Sequence, residues 1–263
     1  MTTDLFSLKG RIALITGGSR GIGRMIAAGF IAQGAKVYIS SRKADACEKT
    51  AAELSNGGGA CIALPVDTST VAGAQALAKA YAAKESKLDI LVNNAGAAWL
   101  EKFDQFPEKG WDKVLDLNLK APFFLTQALG APLRAAATKA KPAKVINIAS
   151  IDGVSVNMQE TYSYAASKAG LIHLTRRMAL RLIEDNIVMS AIAPGAFASD
   201  MNTLARHQGE EVARRIPARR IGTDEDMAGA AIYLASRAGD YVVGATLVVD
   251  GGVSDARGSG GAV

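Results

Sequence analysis

The sequence predicts an α/β fold: a doubly wound, seven-stranded parallel sheet in one domain. Three observations predict it. Short β-branched runs alternate with longer Ala-rich stretches of helical period along the chain. The runs are apolar throughout, as strands covered on both faces require. A glycine-rich turn joins the first run to the first helical stretch, and right-handed crossovers from such units build a doubly wound sheet.

The elements follow in order. Arg11–Thr16 (RIALIT) is the first strand, and a helix after the glycine turn runs to about Gln33. Lys36–Ser41 is the second strand. Ala44–Ser55 is a helix that stops before Asn56-Gly57-Gly58-Gly59. Ala60–Val66 is the third strand, followed by a helix from Ser69 to about Lys84, and Leu88–Asn93 is the fourth. A long helical region spans about Pro107 to Ala137, and Lys139–Lys144 reads as an exposed loop. Val145–Ala149 is strand five, Thr161–Asp185 a long helix and Ile187–Ala193 strand six. A mixed segment covers Phe197–Ile216, Thr223–Ser236 is a helix with acidic residues in its first turn, and Ala245–Val249 is the last strand. The Gly/Ser-rich tail, 255–263, is expected to fray.

Composition narrows the function classes. The chain has 263 residues, 49% of them hydrophobic and 21% charged, enough apolar surface for a large core and too little charge for disorder. No linker divides it, so residues 1–263 read as one domain. The net charge of +5 is scattered, with a local excess at Arg214, Arg215, Arg219 and Arg220, and no basic stripe with interleaved aromatics points to nucleic acid. Two histidines, His173 and His207, and two cysteines, Cys47 and Cys61, are too few for a His/Cys metal site or a disulfide scaffold. No run of about 18 apolar residues occurs, and Met1–Lys9 has no apolar core, so no membrane association and a cytoplasmic location are expected.

Strand one ends in Thr16-Gly17-Gly18-Ser19-Arg20-Gly21-Ile22-Gly23. Glycines at 17, 21 and 23 let a backbone approach a pyrophosphate, and the following helix start offers N–H groups to phosphate. A plain tight turn is the bland alternative. Together with the sheet, this makes the fold Rossmann-like. Strand two ends in Ser40-Ser41-Arg42-Lys43 with no carboxylate for a ribose 2′-hydroxyl. Two hydroxyls, Arg42 and Arg20 instead suit a 2′-phosphate, because a guanidinium fork binds two oxygens at once. NADP(H) is therefore expected over NAD(H), the alternative being solvated surface cations.

From Leu8 to Gly252 the chain resembles the short-chain dehydrogenases/reductases, on several motifs in order. These are Thr16–Gly23, Asp67 after strand three, Asn93-Asn94-Ala95-Gly96 closing strand four, Asn118, Ser150, Tyr164-x-x-x-Lys168, and Pro194-Gly195 with Ser199. More narrowly it resembles bacterial 3-oxoacyl reductases, and gluconate 5-dehydrogenase-like reductases share much of the pattern. The resemblance implies a catalytic set of Asn118, Ser150, Tyr164 and Lys168. It implies a cofactor site from Gly17, Ser19, Arg20, Gly21, Ile22 and Gly23, with Ser41 and Arg42. Asp67 and Thr68, then Asn94, Ala95 and Gly96, then Pro194, Gly195 and Ser199 complete it, with Tyr164 and Lys168 holding the nicotinamide ribose.

Four residues apart, Tyr164 and Lys168 share a helix face. A lysine ammonium and an oxidised nicotinamide would both lower a phenol pKa from near 10. Tyr164 would then give a proton to the substrate oxygen, Ser150 would hydrogen-bond it, and Asn118 would hold a water linking Lys168 to solvent. Tyr162 lacks a lysine at position 166 and is assigned to the pocket rather than to proton transfer. Trp99, Ser150 and Tyr164 are the substrate-binding candidates; Met158, Phe197 and Met201 fit pocket or packing equally. Asn118 satisfying backbone groups and Asp67 acting as a turn residue stay open.

The expected substrate is a small-molecule carbonyl carried on coenzyme A or an acyl carrier, for which Arg206, His207, Arg214 and Arg215 would suit the phosphate-bearing arm, a solvated helix face being the equal alternative for these cations. A sugar, polyol or small ketone is the alternative, and a non-catalytic NADP(H) sensor or a scaffold comes further behind. The resemblance also implies a homotetramer, through the long helices and the last strand.

Overall fold

The computed structural model describes residues 4–56, 58, 60–198 and 208–256. Seven parallel strands form one sheet in the order β3-β2-β1-β4-β5-β6-β7. They are β1 (Ile12–Thr16), β2 (Lys36–Ser40), β3 (Ala60–Ala63), β4 (Ile90–Asn93), β5 (Ala143–Ile148), β6 (Ile187–Pro194) and β7 (Thr246–Val249). The order reverses between β1 and β4, so their carboxyl ends diverge there and open the crevice in which such sheets bind ligands.

Alternation along each strand sends side chains into two separate cores. Ala13, Ile15, Ile39, Val92, Ile146 and Ile192 face α1 (Gly21–Ala32), α2 (Ala44–Ser55) and α9 (Asp224–Ala235), represented by Phe30, Cys47 and Leu234. Leu14, Tyr38, Leu91, Val145 and Met189 face the other layer, represented by Leu77 and Tyr81 of α3 (Val71–Ala82), Leu125 of α5 (Ala121–Ala128), Leu133 of α6 (Gly130–Ala136) and Ala179 of α7 (Tyr162–Leu182). A short helix α8 (Gly209–Arg214) follows β6. Thr223 and Asp226 form a capping box that starts α9.

Two expectations are corrected. The single long helix from Pro107 to Ala137 is instead α4 (Glu108–Leu115), a π-helical turn (Asp116–Lys120), α5 and α6. Pro122 has no N–H to give the Asn118 carbonyl, its partner in an α-helix, and its ring crowds that carbonyl; the chain widens by one residue per turn instead. Lys144 is not in an exposed loop. It is the second residue of β5 and 1% exposed, with Nζ 2.7 Å from Asp240 Oδ1 at the amino edge of the sheet. The charge pairing lets a lysine enter a strand that its sequence neighbours suggest as surface.

Candidate active site

The turn after β1 is shaped by close backbone approach. Gly17 has φ +65°, and a Cβ on Gly23 would stand 2.3 Å from the Gly17 carbonyl oxygen, which fixes the start of α1 beneath the turn. Arg20, the residue before α1, makes no side-chain cap, so the first-turn N–H groups of α1 are not taken up by that side chain. Ser19, Gly21 and Ile22 are half-buried around this helix start. The turn is tied across the crevice to β4. Thr16 Oγ1 accepts from the backbone N–H of Asn94 and of Ala95, each at 3.0 Å. Asn94 Nδ2 donates to the carbonyls of Thr16 (2.8 Å) and Gly17 (3.1 Å). Thus Asn94 and Ala95, expected at the cofactor, also build the floor of its crevice.

Ser41 and the exposed Arg42 follow β2 on the same side, and the Ser41 hydroxyl donates to the Lys43 carbonyl at 3.3 Å. Thr50 of α2 donates to the Ser19 carbonyl at 2.9 Å, which ties α2 to the glycine turn. Asp67 is exposed and accepts from Ser69 N at 3.0 Å, a turn-capping bond, while Thr68 is buried. Pro194 ends β6 and Gly195 packs on Asp250. Ser199, Met201, Arg206 and His207 lie outside the described residues, as does the tail from 257 onward.

The proposed catalytic side chains converge at the carboxyl ends of β4 and β5. Ser150, two residues past β5, is 8% exposed, and its Oγ accepts from the Asp152 N–H at 3.2 Å. Lys168 is 4% exposed, donates to the Ile148 carbonyl at 2.7 Å, and lies 5.6 Å from the centre of the Tyr164 ring. Burial lowers the Lys168 ammonium to about 8. Burial pushes the Tyr164 phenol up to about 12; the Ser150 hydroxyl opposes this and the Asp152 carboxylate adds to it.

Asn118 sits in the π-helical turn, and its side-chain oxygen and nitrogen are both hydrogen-bonded. Oδ1 accepts from Ala97 N (2.8 Å), and Nδ2 donates to Ala97 O (2.8 Å) and Ser167 Oγ (3.0 Å). Ser167 in turn donates to the Tyr164 carbonyl at 2.7 Å. Asn118 therefore links the segment after β4 to the first turn of α7. A Cβ on Gly96 would lie 3.3 Å from Asn118 Oδ1 and 3.8 Å from Lys168 Nζ, so the glycine keeps the space between these two groups clear.

Trp99 packs on Gly110 of α4, with the ammonium groups of Lys113 and Lys109 at 5.3 Å and 5.9 Å from its ring. It is absent from the lining of the aromatic cup of about 350 Å³ formed by Phe103, Phe106, Pro107, Glu108, Trp111 and Tyr162. Tyr162 and Tyr164 are two positions apart on α7, about 200° around the helix, so the cup and the Ser150–Tyr164 pair face different ways. Met158 is exposed, and Phe197 is buried against Gly222. Thr16 and Ser167 were not singled out in sequence as separate site residues. Thr16 carried a signal as the residue opening the glycine motif; Ser167 carried none.

The fold agrees with known proteins. A family model described as enoyl-(acyl carrier protein) reductase matches residues 17–254. The rhamnolipids biosynthesis 3-oxoacyl-[acyl-carrier-protein] reductase of Pseudomonas aeruginosa is 45% identical over 250 residues, covering 94% of this chain and 97% of that one. A 2-dehydro-3-deoxy-D-gluconate 5-dehydrogenase of Dickeya dadantii is 36% identical over 258 residues, covering 96% and 98%. Among solved structures, the Pseudomonas aeruginosa RhlG/NADP active-site complex superposes with a TM-score of 0.92 at 44% identity, covering 96% of this chain and all of that one.

Proposed function

Because the chain belongs to the short-chain dehydrogenase/reductase family, we propose that it is an NADP(H)-dependent reductase that converts a 3-oxoacyl thioester to the 3-hydroxyacyl product. The observation that carries this reading is the buried Lys168, donating to the Ile148 carbonyl and 5.6 Å from the Tyr164 ring, with Ser150 buried just past the end of β5 on the sheet edge beside the glycine turn. The glycine cradle and the uncapped start of α1 fit a pyrophosphate. Ser41 and Arg42 fit a 2′-phosphate, and no acidic side chain ends β2.

NADPH, when bound, supplies the hydride to the carbonyl carbon. Tyr164 stays protonated until charge develops on the substrate oxygen, since its burial holds the phenol high, and then gives up its proton. Ser150 hydrogen-bonds the same oxygen as it gains charge. Lys168, anchored on Ile148, stabilises the resulting tyrosinate and holds the nicotinamide ribose. Asn118 positions this machinery by joining Ala97 to α7. The clear space between its Oδ1 and Lys168 Nζ suits a water that returns the proton to Tyr164.

The 45% identity to a carrier-linked 3-oxoacyl reductase supports a thioester on an acyl carrier or coenzyme A. The 36% identity to a gluconate-type dehydrogenase supports a second reading, reduction of a keto-sugar acid. The test is the initial rate of NADPH oxidation with acetoacetyl and longer 3-oxoacyl thioesters, 2-enoyl thioesters, simple ketones and keto-gluconates. Strong turnover of 3-oxoacyl thioesters is expected. Turnover confined to keto-gluconates or to enoyl thioesters would replace this substrate assignment.

Within the same reading the protein is a cytoplasmic homotetramer, paired through the exposed faces of α4, α5 and α7 and through the edge near β7. Exposed Trp111, Leu180, Tyr241 and Val243 support those faces. No helix among the described residues is long and apolar enough to cross a membrane. Light scattering should give four times the chain mass, and a monomer would contradict the assembly.

A further inference from the structure

The mechanism above uses Ser150 and Tyr164 and gives no role to Asp152, the acidic residue two positions after Ser150. Asp152 lies in the 3-10 turn Ile151–Gly153, and that turn is held in place at three points. The Asp152 backbone N–H donates to Ser150 Oγ at 3.2 Å. Gly153 packs so tightly on α7 that a Cβ there would stand 2.6 Å from the Lys168 carbonyl carbon. The carboxylate Oδ1 accepts from Asn157 Nδ2 at 2.7 Å, which closes the loop back on itself.

This carboxylate is half-buried and has no cationic partner among the described residues. Desolvation raises its pKa above the ordinary carboxylate value, and its charge reaches Tyr164, where it opposes loss of the phenol proton. A charge placed so costs stability and returns nothing to the proton transfer, so a different use is implied. Beyond it the loop turns Val156 and Met158 outward, 96% and 99% exposed.

We propose that Asp152 is a specificity-determining residue: its carboxylate, carried on the turn whose backbone N–H holds Ser150 Oγ, bars carbonyl substrates bearing negative charge near the reacting ketone and admits those flanked by uncharged groups. The inference rests on the reading of Ser150 and Tyr164 as the reacting pair. Like charges in a partly desolvated cleft repel more strongly than in water, and a specificity ratio is built from such repulsion as much as from attraction. A thioester presents an uncharged group beside its 3-ketone. A free 3-oxo acid of the same chain length presents a carboxylate there.

The experiment compares acetoacetate with its neutral N-acetylcysteamine thioester, using NADPH with the wild-type protein, Asp152→Asn and Asp152→Ala. The asparagine keeps an acceptor for Asn157 and removes only the charge. The wild type is expected to favour the thioester in kcat/KM. Asp152→Asn should narrow that ratio at least tenfold (about 1.4 kcal/mol) through a gain on acetoacetate, with Asp152→Ala giving the same sign. In the NADPH complex, read by nucleotide fluorescence, acetoacetate should bind at least tenfold more tightly to Asp152→Asn. No gain on acetoacetate in rate or affinity would overturn the inference, as would a parallel fall for both substrates, which marks a merely structural role. Absence of wild-type turnover with either substrate contradicts the proposed reaction, and the affinity measurement still decides for or against the charge filter.

Discussion

Replacing Thr16 with valine keeps the shape of the side chain and deletes one oxygen. Thr16 is 3% exposed, and that oxygen accepts from the N–H groups of Asn94 and Ala95, both at 3.0 Å. Valine leaves two backbone donors without a partner, at about 1–3 kcal/mol for each buried group. Asn94 and Ala95 are only half-buried, so water recovers part of the loss and a total of about 2–4 kcal/mol is expected. For a chain of this size that corresponds to a fall in Tm of about 4–16 °C. The same segment forms the crevice floor beside the glycine turn, so NADPH affinity should weaken together with stability. Thermal melts with and without NADPH, with Thr16→Ser as the hydroxyl-retaining control, measure both. Serine should recover most of the loss. A Thr16→Val protein that melts within roughly 2 °C of the wild type, with unchanged NADPH affinity, would refute the reasoning.

Two further predictions concern charge. Lys168 has a folded pKa of about 8, below its ordinary 10.5, so the folded chain pays for a buried ammonium below pH 8 and is relieved of that cost as pH rises from 8 to 10.5. Lys168→Met should therefore be inactive yet more stable than the wild type at pH 7, by about 2–3 kcal/mol, with the gap closing towards pH 10.5; denaturant unfolding across this range checks it, and a wild type more stable at pH 7 contradicts it. Arg42→Asp should move the NADPH-to-NADH preference by about tenfold (about 1.4 kcal/mol) towards NADH, read as the ratio of kcat/KM; an unchanged ratio removes Arg42 from the phosphate site.

Much of this was legible in the sequence because it lies in local pattern. Apolar runs between helical stretches predicted all seven strands, since burial on both faces leaves no polar alternation to misread. The spacing of Tyr164 and Lys168 predicted a shared helix face, and a helix was expected after the glycine turn, where α1 lies. What escaped depends on partners distant in sequence. Lys144 reads as loop because its neighbours are lysines and a proline; Asp240, far along the chain, is what lets it enter β5. The helix from Glu108 reads as continuous because helical period does not register an extra residue in one turn. Pro122, four residues after Asn118, was the available signal. Asp152 was invisible because its meaning comes from the turn whose backbone N–H holds Ser150 Oγ.

The central claim is that the Tyr164 phenol, with Lys168 5.6 Å from its ring, delivers the proton while NADPH delivers the hydride. Single-turnover oxidation of NADPH by Tyr164→Phe, with acetoacetyl thioester as acceptor and NADPH affinity measured in parallel, tests it most directly. The account predicts near-wild-type NADPH binding and a rate reduced by about 10²–10⁴, the usual worth of a positioned general acid. A phenylalanine variant that oxidises NADPH at the wild-type rate would contradict the account.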